Sequence, residues 1–283
     1  MARKIINTNR KPQTWKITVK VNGGPQRIRI ISGNAKKPYS LYTNRFNTVK
    51  NESTFYVRMP QTADSTFLEV YNEKNGRKPD GKDTSFKISK FEILPLQTDY
   101  SVFDYNAKSK SFIAFLQWFS ENAAILSAGQ SIYRSPDGVF RIDYLDNIRD
   151  NRKFVRNPQT GEAMPNKNFG RVLKTPARIN RKTGVIEVSR DLFIKYTVPM
   201  RMIVLLHEIA HFYLNHVDTD EIESDLNALK IYLGLGYPRI EAHQAFTQIF
   251  YNADTPLNRQ RYSQIKSFIE GFERRQRMKG INH

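Results

Sequence analysis

The sequence predicts an α+β chain, with an N-terminal β-sandwich or barrel-like domain over residues 1–97 and a second domain over 98–283 that combines a small mixed sheet with helices. Three observations carry this prediction. Short apolar–polar alternations separated by turn residues fill the first part. A helical apolar stripe opens the second, and Pro or capping residues then mark a series of helix starts. The length of 283 residues suits two modest domains or one large one.

Trp15, Ile17, Val19 and Val21 alternate with polar residues until Gly23-Gly24-Pro25 breaks the run. Ile28 and Ile30 repeat the alternation, as do Phe55, Val57 and Met59, and a further strand is expected over 86–94. Turn-rich stretches at 32–34 and 75–81 separate them. Near residues 95–105 the pattern changes. Phe112, Phe115, Leu116, Phe119, Ala123 and Leu126 form one helical stripe within 109–127, best read as core packing, with Gly129 as its stop. Phe140, Ile142 and Tyr144 then alternate. Residues 150–174 read as a long loop or loose hairpin, and 177–179 with 184–188 as a hairpin across 180–183. Ser189 is placed to cap a brief helix through Tyr196. Pro199 stands where the first turn of the next helix needs no N–H, and that helix is expected to run to about residue 215. Asp220 with Glu223 makes a capping-box pattern, and Gly234-Leu235-Gly236 ends the helix it opens. Pro238 and Thr255-Pro256 start two more.

Composition narrows the chemistry. Cys is absent, which removes disulfides and thiolate ligands, so a bound metal must be held by His, Asp, Glu or water. The N-terminus lacks an apolar segment of signal-peptide length, and no apolar run approaches membrane-spanning length. A cytoplasmic protein, or a virion component if phage-encoded, is therefore expected, with no membrane partner. The formal charge is +18, and residues 1–97 hold 19 Lys/Arg against 7 Asp/Glu. Such an excess suits nucleic acid or acidic protein partners as well as plain solubility.

The most specific motif is His207-Glu208-Ile209-Ala210-His211. Two His four apart on a helix project from one face and can grip one metal ion. Glu208 reaches water at that metal rather than the metal itself, and can take its proton. Imidazole ligands suit zinc, whereas an all-oxygen set would suit magnesium or calcium. With 5 His and 13 Glu in the chain, the pattern is expected by chance about 0.004 times, so coincidence is a poor explanation. Glu221, Glu223, Asp225, Asp218 and His216 all remain open as a third ligand. A third His six residues after His211 is absent, because Val217 stands there.

With Glu221-Ile222-Glu223-Ser224-Asp225 downstream, the motif resembles the zincin metallopeptidases, specifically their glutamate-ligand branch. The resemblance spans about 105–252 and is most specific over 176–237. It looks most like compact peptidase domains of bacteria and tailed phages. It implies Zn as cofactor, Glu221 as third ligand, Asp225 as a carboxylate orienting His207 or His211, and Glu208 as general base. Two features depart from the pattern: only nine residues separate His211 from Glu221, and Ser224 replaces a small Ala. The implied activity is peptide-bond hydrolysis on a peptide or protein substrate, with His243 and Tyr232 as candidate oxyanion or substrate contacts. The strand at 184–188 is expected to pair with extended substrate. The alternative is a structural part of a larger assembly, such as a virion neck or tail near DNA, joined to protein partners and contacting nucleic acid through the basic N-terminal domain.

Overall fold

The computed structural model describes residues 2–73, 84–122, 129–136, 138–157, 159–214, 220–251 and 254–279. The turn at 75–81, the stripe positions Ala123 and Leu126, and the candidates His216 and Asp218 lie outside them.

Among the described residues, seven strands occupy the N-terminal part: β1 (Ala2–Asn7), β2 (Gln13–Val21), β3 (Gln26–Asn34), β4 (Leu41–Val49), β5 (Glu52–Met59), β6 (Ser65–Asn72) and β7 (Phe86–Pro95). They form two antiparallel sheets, ordered β1-β6-β3-β4 and β5-β2-β7. Inward side chains from both sheets share one core, with Trp15, Ile17, Val19, Ile28, Ile30 and Val70 wholly buried. Each large apolar side chain so buried contributes about 1.5–3 kcal/mol relative to exposure. The alternating residues of β2, β3 and β5 are thus the ones that face inward.

In the second part, α1 (Ala107–Asn122) packs its Phe112, Phe115, Leu116 and Phe119 face on a second core. What joins that helix to Gly129 lies outside the described residues; Gly129 opens β8 (Gly129–Ser135) at φ +126°. β9 (Gly138–Leu145) follows, then a small hairpin, β10 (Phe154–Arg156) with β11 (Ala163–Pro165), inside the expected loop. β12 (Ala177–Ile179) and β13 (Ile186–Ser189) complete a four-stranded sheet ordered β12-β13-β9-β8. It is mixed, because β13 and β9 run parallel and the other neighbours antiparallel.

Helices α2 (Arg190–Phe193), α3 (Val198–Ile209), α4 (Glu221–Gly234), α5 (Arg239–Tyr251) and α6 (Pro256–Met278) follow. α3 is apolar almost all round and therefore central, with every residue but His207 buried. Thr197 caps it by accepting the Met200 N–H, and Pro199 lies in its first turn. Its last turn widens into a π-helical turn, Ala210–Leu214. Just past the end of α4 comes Gly236, whose φ of +82° and whose approach to the Gln97 carbonyl exclude a side chain.

The two cores are bridged by buried polar contacts. Arg201 of α3 is wholly buried and donates to the carbonyls of Phe193 (2.9 Å), Ser120 (3.0 Å) and Tyr39 (2.6 Å). Burial pulls its pKa down to about 9. Tyr42 donates to Glu121 at 2.7 Å, and Thr43 to Glu241 at 2.9 Å. Val198, the first residue of α3, enters the N-terminal core itself. Among the described residues, no helix is long and apolar enough to cross a membrane.

Candidate metal centre

α3 and the π-helical turn carry His207 and His211, and the first turn of α4 comes back across them. Asp220 fixes that first turn by accepting the Glu223 N–H at 2.9 Å. The capping interaction places Glu221 at the helix start and Asp225 one turn on, sharing a face.

Three donor groups converge. His207 Nε2 and His211 Nε2 are 3.1 Å apart, and the Glu221 carboxylate lies 3.5 Å from the first and 3.4 Å from the second. Together His207, His211 and Glu221 form a group that could hold a metal ion. Glu223 stands outside it, with its backbone N–H committed to Asp220.

The ring orientations are fixed from behind. His207 Nδ1 lies 2.9 Å from Asp225 Oδ1, which turns Nε2 toward the cluster. Ser224 Oγ donates to the Asp220 carbonyl at 2.8 Å and lies 2.9 Å from His211 Nδ1, which Arg181 Nη2 also approaches at 3.3 Å. The hydroxyl that departs from the small Ala of the zincin pattern therefore orients the second imidazole. Asp225 is itself gripped by Arg261 of α6 through two bonds of 2.7 and 3.0 Å. Asp225 thus serves His207 rather than the cluster directly.

The charges around the cluster are strongly coupled. Burial would raise the pKa of Glu221, but hydrogen bonds from His207 and His211 hold it far below the usual carboxylate range. Burial would lower that of His207, but Asp225 and Glu221 outweigh it and push it up to about 10. Glu208 goes the other way: burial raises its pKa, opposed by the two histidines. Its carboxylate receives the Ile179 N–H of β12. Arg181 and Arg261 approach Glu221 at 3.3 and 3.4 Å. Three carboxylates, Glu208, Glu221 and Asp225, thus face two guanidiniums.

A cavity of about 270 Å³ opens beside the cluster, walled by β12 on one side and by Phe246 and Phe250 of α5 on the other. β12 is the end strand of its sheet. The strand expected to meet substrate, at 184–188, is corrected here: β13 is interior, paired on both sides by β12 and β9, and has no free edge.

Comparison with family models, curated proteins and solved structures finds no match for this chain.

Two further expectations are corrected by the packing. Tyr232 is wholly buried in the core, where it stacks on Tyr237 and donates to the Pro238 carbonyl at 2.9 Å. The His243 ring is edge-on to Tyr262, and His243 does not line the cavity. Neither is among the residues around the cluster. The residues that sequence reasoning missed are Arg181 and Arg261. Arg181 stands in the turn of the 180–183 hairpin, one strand upstream of the motif helix, which is a usable signal. Arg261 lies 36 residues beyond Asp225 and carries no local signal.

Proposed function

We propose that this chain is a zinc-dependent metallopeptidase of zincin type, with His207, His211 and Glu221 as ligands and Glu208 as general base. The observation that supports it most is the triangle of donors. A tetrahedral ion with bonds of about 2.0–2.1 Å has ligand atoms about 3.3–3.4 Å apart; here the two Nε2 atoms are 3.1 Å apart, and the Glu221 carboxylate approaches His211 through Oε1 at 3.4 Å and His207 through Oε2 at 3.5 Å. Two imidazole nitrogens and a carboxylate converging so closely are suited to a cation between them. Zinc suits this mixed nitrogen and oxygen set.

Zinc held there supplies a Lewis acid for a scissile carbonyl and makes adjacent water acidic. Glu208 accepts a proton from the attacking water and delivers it to the leaving amine nitrogen as the C–N bond breaks. Its raised pKa suits a group that must both take and return that proton. The Ile179 N–H keeps its carboxylate on the β12 side of the cavity. β12 offers its outer backbone edge to an extended peptide, which would bind as an added antiparallel strand. Arg181 and Arg261 line the same cavity and favour a substrate with negative charge.

The test is to replace Glu208 with Gln. Zinc content should stay at the wild-type level while peptide hydrolysis falls by about 10²–10⁴-fold, the usual share of acid–base catalysis. A Gln variant as active as wild type would remove Glu208 from the chemistry.

A second reading, a component of a larger assembly, is favoured by the basic excess of residues 1–97 and by exposed Ile5, Phe46 and Ile93 on their sheets. Stable co-purification with virion or other assembly proteins, with hydrolysis absent from wild type, would favour it.

A further inference from the structure

A second cavity, of about 520 Å³, lies where β4 and β5 meet the start of α5 and the end of α6. None of its lining residues lines the cavity at the metal cluster. Its charged residues are four arginines, Arg45, Arg58, Arg239 and Arg277, against one carboxylate, Glu273. Arg239 pairs with Glu273, which leaves three guanidiniums unmatched.

Two of them, Arg45 and Arg58, are not solvated in the ordinary way. Arg45 donates through Nη2 to the Tyr56 carbonyl, but its Nε lies out of solvent without a hydrogen-bond partner. Arg58 is half-buried, and its side chain has no ionic or hydrogen-bonding partner among the described residues. Burial, then the nearby charge of Arg239, pull its pKa down to about 10. The pKa of Arg239 is likewise lowered by burial and by Arg277 and Arg45. The nearest buried carboxylate, Glu241, offsets part of the Arg45 charge, but it accepts from Thr43 at 2.9 Å and burial favours its neutral form. The N-terminus of α5, with Pro238 and Arg239 on the cavity wall, adds the positive end of a helix dipole.

Crowding like charges in a partly dry site costs stability unless something negative completes it. Guanidiniums converging from several elements match the tetrahedral oxyanions of a phosphoryl group better than a single carboxylate. The remaining wall is apolar, with Phe55, Ile240, Ile269 and Phe272. The cavity volume falls within the range of small-molecule sites.

We propose that this cavity binds a phosphate-bearing small molecule, with Arg45, Arg58, Arg239 and Arg277 on the phosphoryl oxygens and the apolar wall against the rest of the ligand. The site is independent of the metal cluster and of the reaction proposed for it.

The experiment is calorimetric titration of the full chain with inorganic pyrophosphate, with a nucleoside triphosphate and with a short single-stranded oligonucleotide, beside Arg58→Met and Arg277→Ala. One pyrophosphate or nucleotide is expected to bind per chain, and each variant should weaken it by about tenfold or more. Equal affinity for the two assigns the site to the phosphates alone, and tighter nucleotide binding brings in the apolar wall. Either outcome supports the proposal. Arg277 is exposed at the end of α6, so its loss should leave the fold intact. Arg58→Met should unfold at the same or a higher temperature than wild type without ligand, and lose the ligand-induced rise. No saturable binding of either small phosphate would overturn the proposal. So would binding unchanged in both variants, or binding of the oligonucleotide alone, which would assign the charge to a nucleic-acid surface.

Discussion

At His207 the metal-free protein holds a proton that a metal would have to replace. Its ordinary pKa of 6.5 is raised to about 10 by Asp225 and Glu221 against the opposing effect of burial. The sign follows from linkage: the folded state binds this proton more tightly than the unfolded one. In the metal-free protein, the resulting stability is fully present below about pH 6.5 and is lost as pH rises through about 10. Metal binding at neutral pH should then release about one proton from His207 per ion, and affinity should climb with pH. Titrations in buffers of different ionisation enthalpy count that proton. Uptake with no release at neutral pH would mean that His207 is already neutral. Glu208 makes the complementary case at the same scale. A buried carboxylate with a raised pKa is an effective base only while water reaches it, and the cavity of about 270 Å³ provides that access.

At the scale of elements, the hairpin joining β12 to β13 controls the site from outside. Gly184 has φ +70°, and a Cβ there would meet the Phe212 ring at 3.0 Å. Gly184→Val should therefore shift the turn that carries Arg181, destabilising the fold by at least about 1 kcal/mol. Urea denaturation read beside metal affinity checks this, and a variant equal to wild type in both would show the turn to be pliable. The hairpin was legible in the sequence because two apolar runs flank a short polar turn. The helix bearing the histidines was legible for the same local reason, its caps and its motif lying within one stretch. β2, β3 and β5 were legible because each buries one face. β6 was not, since nearly every residue in it is buried and no alternation survives, and β4 exposes three consecutive residues, Phe46, Asn47 and Thr48. The π-helical turn left no signal, nor did the α6 contact to Asp225. Tyr232 and His243 illustrate the limit: residue type and a helical address do not say which face meets the cavity.

Across the whole molecule, the basic sheets and the helical part are tied by Arg201, whose three carbonyl partners come from the α2 region, α1 and the loop before β4. Arg201→Met keeps apolar bulk but removes three hydrogen bonds to carbonyls, of which that of Phe193 retains the Tyr196 N–H. The expected loss is about 3–5 kcal/mol, read as a lower urea midpoint in a transition that both parts share. A variant as stable as wild type would mean that the apolar contacts, Val198 among them, hold the parts together without it. The same coupling gives zinc a global effect, because ligands from α3, the π-helical turn and α4 would be cross-linked by one ion. The central claim rests on that ion, and the most direct test is metal analysis of the purified chain after zinc reconstitution and removal of excess. One tightly held zinc per chain is predicted, with binding lost in His211→Ala and strongly weakened in Glu221→Ala. Less than stoichiometric zinc in the folded wild type, or full zinc in both variants, would contradict the account.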